Sequence, residues 1–104
     1  MFSDIQKSTT NWILKNCQKF YGFKLDIAYN KYANTSCYTY TNDKTTITFN
    51  FYYIALTLSI QAQVEIGDAG YTYGMFNLDA CDPEFFLNIK SIIESACQKH
   101  MIKC

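Results

Sequence analysis

From position 23 onward the chain alternates. Phe23, Leu25, Ile27 and Tyr29 are separated by Lys24, Asp26, Ala28 and Asn30, the period of a half-buried strand. Residues 36–41 and 45–53 keep that period on either side of Asn42-Asp43-Lys44. Those residue types suit turn geometry, so a hairpin is predicted. The clearest strand follows, with Leu56, Leu58, Ile60, Ala62, Val64 and Ile66 alternating with Thr57, Ser59, Gln61, Gln63 and Glu65. Apolar positions are odd up to Tyr53 and even from Leu56, so the parity flips near Ile54-Ala55. A straight strand over 45–66 would run about 70 Å, far beyond a small domain of radius about 13 Å. A turn or strong bulge must therefore fall near 52–55, although no Gly or Pro stands there. Gly67-Asp68-Ala69-Gly70 then reads as a tight turn into a last strand over 71–78.

Helical periodicity flanks this block. Ser3-Asp4-Ile5-Gln6 is a capping-box pattern that opens a helix over 3–21. Ile5, Trp12, Ile13, Cys17 and Phe20 form its stripe, and Gly22 stops it. Asp82 caps and Pro83 starts a second helix. Its stripe is Phe85, Phe86, Ile89, Ile92, Ile93, Ala96, Cys97 and His100. The order is α-β-β-β-β-β-α with short connections, which favour an antiparallel meander. The predicted fold is one α+β domain over 1–104, a two-layer sandwich. A sheet of four or five strands carries both helices on one face.

Parity assigns the faces. Pairing Tyr40 with Thr45 puts Tyr38 and Tyr40 beside Ile47, Phe49, Phe51 and Tyr53, against the helices; a loop one residue longer flips them. The preferred register is the first, because burying each large side chain contributes about 1.5–3 kcal/mol. Tyr71, Tyr73 and Met75 are then expected beside Ile66, Val64 and Ala62 on the core face. The opposite face is expected to carry Thr46, Thr48, Asn50, Tyr52, Thr57, Ser59, Gln61, Gln63, Glu65, Thr72 and Phe76. Thr is common in strands for its shape alone. Even so, a nearly uncharged face of hydroxyls, amides and two rings desolvates cheaply, as contact surfaces do. The final strand, 70–78, has no charge and no proline to block pairing at an edge, although Gly74 can supply a protective bulge.

Composition narrows the classes. The 104 residues are 49% hydrophobic and 17% aromatic, enough for a core without metal or disulfide, and disorder is excluded. Formal net charge is zero, and all nine basic residues are scattered lysines with no arginine. A nucleic-acid footprint needs a basic stripe and favours the guanidinium fork, so nucleic acid is not expected as partner. Polar residues interrupt every long apolar stretch, so no membrane span or leader is expected, and the expected compartment is the cytoplasm. The five cysteines at 17, 37, 81, 97 and 104 contain no C-x-x-C and are read as thiols. Cys17 and Cys97 are expected to face each other inside the helix layer as small hydrophobes.

Catalytic chemistry finds little support. His100, the sole histidine, falls on the apolar stripe near a helix end, where a structural role is expected. Asp79, Asp82 and Glu84 cluster before and within the first turn of the second helix; capping and the helix dipole explain Asp82 and Glu84, and no cofactor or metal is implied. The expected function is non-catalytic binding of another protein. A stoichiometric inhibitor or neutraliser, of the phage anti-defence or toxin-immunity type, fits the small, arginine-free chain by analogy of size and composition. Tyr52, Phe76, Thr48, Asn50, Gln61, Gln63, Thr72 and Tyr73 are the expected contact residues. A homodimer joined through the same face or the 70–78 edge, enclosing a small ligand or purely structural, is the alternative. A small enzyme using His100 comes third.

Overall fold

The computed structural model describes residues 4–30 and 34–100, without the side chains of Tyr29, Asn30 and Tyr73. Its elements are α1 (Asp4–Asn16), β1 (Lys19–Phe20), β2 (Phe23–Asn30), β3 (Thr35–Asn42), β4 (Thr45–Ile54), β5 (Thr57–Ile66), β6 (Ala69–Asp79) and α2 (Phe85–Lys99). The strands form one antiparallel meander in the order β1-β2-β3-β4-β5-β6. The α+β class and the helix placement at both ends are as the sequence predicts. The sheet has six strands rather than four or five, because β1 is cut from what reads as the end of the first helix.

That helix stops at Asn16, not at Gly22. Tyr21 and Gly22 instead turn β1 into β2, with φ of 50° and 85°, the left-handed pair that a two-residue hairpin requires. The stripe Ile13, Cys17, Phe20 is therefore apolar continuity across an element boundary, which periodicity alone does not reveal. Ser3 of the expected capping box lies outside the described residues. Within the described residues Gln6 Nε2 donates to Thr35 O at 2.9 Å and Ser36 Oγ at 3.1 Å, tying α1 to the start of β3.

The parity flip between β4 and β5 is resolved by a two-residue loop, Ala55-Leu56, with Ala55 at φ 53°. Leu56 consequently leaves the strand and is exposed. The first hairpin pairs Asn42 with Thr45 and Tyr40 with Ile47. This lies two residues from the expected pairing and keeps the same parity. Tyr38, Tyr40, Ile47, Phe49, Phe51 and Tyr53 thus share the inner face with Leu58, Ile60, Ala62 and Val64.

The helices close over that face. Ile13 and Cys17 reach it from the α1 side, and Phe85, Ile89, Ile93, Ala96 and Cys97 from α2. Trp12 stacks on Phe86 with centroids 5.2 Å apart, joining the helices. Helix α2 begins at Phe85, later than expected. Asp82 Oδ1 accepts from the Glu84 N–H at 2.9 Å, so it closes the preceding turn, and Glu84 stands at the N-cap.

The last strand departs from expectation most. Gln63 pairs with Thr72, but Ala62 pairs with Gly74, so Tyr73 is an extra residue in a bulge. Beyond it, parity reverses. Phe76 pairs with Ile60 and packs against the core, while Met75 turns outward and is 63% exposed. Both residues were expected on the opposite faces. Tyr71 does lie on the inner side beside Val64 but remains exposed at the sheet edge.

Candidate functional site

The outer face of the sheet is a grid fixed by the strand registers. One cross-strand row reads Asp26, Thr39, Thr48, Gln63, Thr72; the next reads Ala28, Cys37, Asn50, Gln61, Met75; a third contains Thr35, Tyr52, Ser59 and Asn77. The inward sides of α1 and α2 pack on the other face, so among the described residues no helix lies over this grid. Charge enters only at its margins, with Lys19, Lys24 and Asp26 on one side, Glu65 at the end of β5 and Asp79 at the end of β6. Tyr52 stands 38% exposed among hydroxyls and amides.

Of the expected contact residues, Tyr52, Thr48, Asn50, Gln61, Gln63 and Thr72 come together here. Phe76 does not, for the bulge sends it to the core, and Tyr73 is the bulge residue itself. Met75 and Asn77 take the places that sequence parity gave to Phe76, and Ser59 Oγ bonds Asn77 Oδ1 at 2.7 Å. The outward residues of β3, Thr35, Cys37 and Thr39, complete the face. Their alternation was visible in the sequence, but their membership in this surface depends on the β3–β4 register.

Two open depressions mark this surface. A cleft of about 530 Å³ at the β1–β2 margin is lined by Tyr21, Lys24, Asp26, Thr41, Asn42 and Asp43. A smaller one of about 240 Å³ lies against Gln63, Glu65, Gly70, Tyr71 and Thr72. Both are open to solvent, not enclosed chambers.

Apart from the free Cys37 thiol, the groups with reactive potential are placed elsewhere. His100 ends α2, with its Nδ1 3.4 Å from the Tyr71 hydroxyl and the two rings 6.0 Å apart. Burial, with the neighbouring Lys99 charge second, holds its pKa below the ordinary histidine value. Cys17 and Cys97 are both buried in the core. Desolvation pushes Cys17 up to about 11 and Cys97 to about 12, so both stay as unreactive thiols near neutrality. Among the described residues no group of three or more His, Cys, Asp or Glu side chains is placed to hold a metal ion. None of their helices is long and apolar enough to cross a membrane.

The architecture defines an α+β class, a six-stranded antiparallel meander carrying two helices on one face. No family model matches the chain, and neither the curated proteins nor the solved structures include a significant match.

Proposed function

We propose that the protein acts without catalysis by binding another protein stoichiometrically through the outer face of its sheet. One observation carries this reading: the central rows of that face, Thr39, Thr48, Gln63 and Thr72 with Cys37, Asn50, Gln61 and Met75, contain no charge and no covering helix. A face kept only for solvation is normally studded with Lys and Glu, which are depleted at the centres of interfaces. Inhibition or neutralisation of the bound partner is the finer form of the proposal. It draws on the small size, the neutral charge and the lack of arginine, with a phage anti-defence or toxin-immunity role as the model.

The homodimer is a second reading because, among the described residues, β6 ends the sheet with no strand beyond it over Ala69–Asp79, its only charge being Asp79 at the end. The bulge at Tyr73 counts against it, since bulges twist an edge away from regular pairing.

The test is a matched pair of proteins, wild type and Tyr52→Lys/Asn50→Lys, compared by light scattering and by partner capture. The expected result is a monomeric wild type that retains a partner the variant loses, with both giving the same circular dichroism spectrum. A partner held equally by both proteins removes the face from consideration. A dimeric wild type that the double variant converts to monomer gives the face to a second copy instead.

A further inference from the structure

The formal charge of zero hides a division along the chain. From Thr45 to Ile89 there is no lysine, arginine or histidine, and all five charged residues, Glu65, Asp68, Asp79, Asp82 and Glu84, are acids. The nine lysines all fall outside that stretch. In the fold it spans β4, β5, β6 and the first turn of α2, so these strands and their turns carry anions without cations.

Three of the five acids meet at one corner. The Ala80 N–H donates to Leu56 O at 2.8 Å, and Thr57 pairs with both Ile54 and Asp79. The loop between β4 and β5 is thus fastened to the turn that leads from β6 into α2. On the loop side Ile54 is 69% and Leu56 58% exposed, and Ile54 shares the outward parity of Tyr52. On the turn side Asp79, Asp82 and Glu84 are all exposed. Asp79 Oδ1 accepts from the Cys81 N–H at 2.8 Å, and Asp82 Oδ1 from the Glu84 N–H at 2.9 Å. Those bonds hold the two carboxylates in place, and each has a second oxygen that can accept from another donor. Among the described residues none of the three acids is in an ion pair, and they are not grouped to hold a metal ion. Lys44, at the other end of β4, is roughly 30 Å away along the strand.

Exposed aliphatic side chains beside charges of a single sign have the anatomy of a contact surface. The sign states what that surface meets, because opposite charge is steered in and like charge is rejected. We propose that this corner anchors the contact face and takes a basic amphipathic segment of the partner protein. Apolar side chains of that segment lie on Ile54 and Leu56, and its lysines or arginines reach the three carboxylates. The inference rests on the contact-face reading and gives the partner its chemistry. Nucleic acid and anionic lipid are repelled by the same carboxylates.

The test titrates the nitrogen-15-labelled protein with a synthetic peptide of alternating lysine and valine, beside its glutamate-and-valine counterpart. The lysine peptide is expected to shift the amide resonances of Tyr52, Ile54, Leu56 and Thr57, and the glutamate peptide to leave them unmoved. Asp79→Asn/Asp82→Asn/Glu84→Gln removes the charge, keeps an acceptor oxygen at each position, and is expected to weaken binding about tenfold. Ile54→Asn is expected to weaken it by a similar factor, which a loose counter-ion attraction would not explain. Equal binding of both peptides, shifts confined to other surfaces, or unchanged affinity in Ile54→Asn overturns the proposal. Self-association of the wild type at low salt that the neutralised variant loses gives the corner to the lysines of a second copy, and overturns it as well. A natural partner that Tyr52→Lys/Asn50→Lys loses but the neutralised variant keeps overturns the basic anchor alone. The contact face then still stands.

Discussion

Strand β4 shows the molecule's division of labour along a single backbone. Ile47, Phe49, Phe51 and Tyr53 face the helices and are buried, while Thr46, Thr48, Asn50 and Tyr52 alternate with them and face outward. The inward set is dictated by packing: Tyr38 and Phe51 lie 4.6 Å apart, Tyr40 and Phe49 5.8 Å, in the tilted and edge-on geometries aromatic pairs prefer. Nothing in the packing dictates the outward set. Many polar residues would serve on a solvated strand, so the near-absence of Lys and Glu there needs a different cause, which the proposed contact surface supplies. On the proposed reading, the same chain is constrained by stability on one face and by recognition on the other.

The largest expected effect sets the two faces against each other. Phe51→Ala removes a fully buried ring and is expected to destabilise the protein by about 3–5 kcal/mol. Asn50→Ala, one residue away, should change stability by no more than about 0.5 kcal/mol. Urea denaturation of both variants measures this directly. Equal losses would break the comparison, because they would mean the outer face is itself part of a packed layer.

A sharper contrast lies in β6, where the two faces exchange residues. Phe76→Lys is expected to cost about 2 kcal/mol, since the ring packs on the core and an ammonium would replace it. Met75→Lys points outward and should cost less than about 0.5 kcal/mol. Thermal unfolding ranks the two variants. The reverse ranking would restore the simple alternation of the sequence and remove the bulge.

This pair also shows how far the sequence could be read. Alternation in β4, and in β5 from Leu58 to Val64, specified their inner faces, because burial rewards parity and a two-residue loop accommodates the flip between the strands. In β6 the pattern fails, since Tyr71, Tyr73, Met75, Phe76 and Leu78 offer apolar side chains to both parities. Gly74 signalled a bulge, but only the pairing of Thr72 and Gly74 to consecutive residues of β5 shows where the register shifts. The polar inner side of α1 was hidden for a related reason. Gln6 and Thr9 look like solvated positions until the register of β3 brings Thr35 and Ser36 beneath them. The shared outward placement of six of the expected contact residues was nonetheless legible, because they sit on the two strands whose alternation is cleanest or directly beside them.

The smallest effect tests the loop on which the whole face assignment depends. Ala55 occupies the left-handed region at φ 53°, a conformation that costs an L-residue with a Cβ about 1–2 kcal/mol. Glycine removes that strain but adds freedom to the unfolded chain, an opposing term of about 0.5–1 kcal/mol. Ala55→Gly is therefore expected to stabilise the protein by about 0.5 kcal/mol, read as a higher denaturation midpoint with an unchanged slope. The sign matters more than the size. In a longer loop Ala55 would take an ordinary negative φ, and glycine would then only weaken the fold. A lower midpoint would accordingly mean that β4 and β5 are joined in another register, and with an odd shift Ser59, Gln61 and Gln63 of β5 would exchange places with Leu58, Ile60 and Val64. A higher midpoint fixes the two-residue hairpin, and with it the side of the sheet on which Gln61 and Gln63 stand beside Asn50 and Thr48.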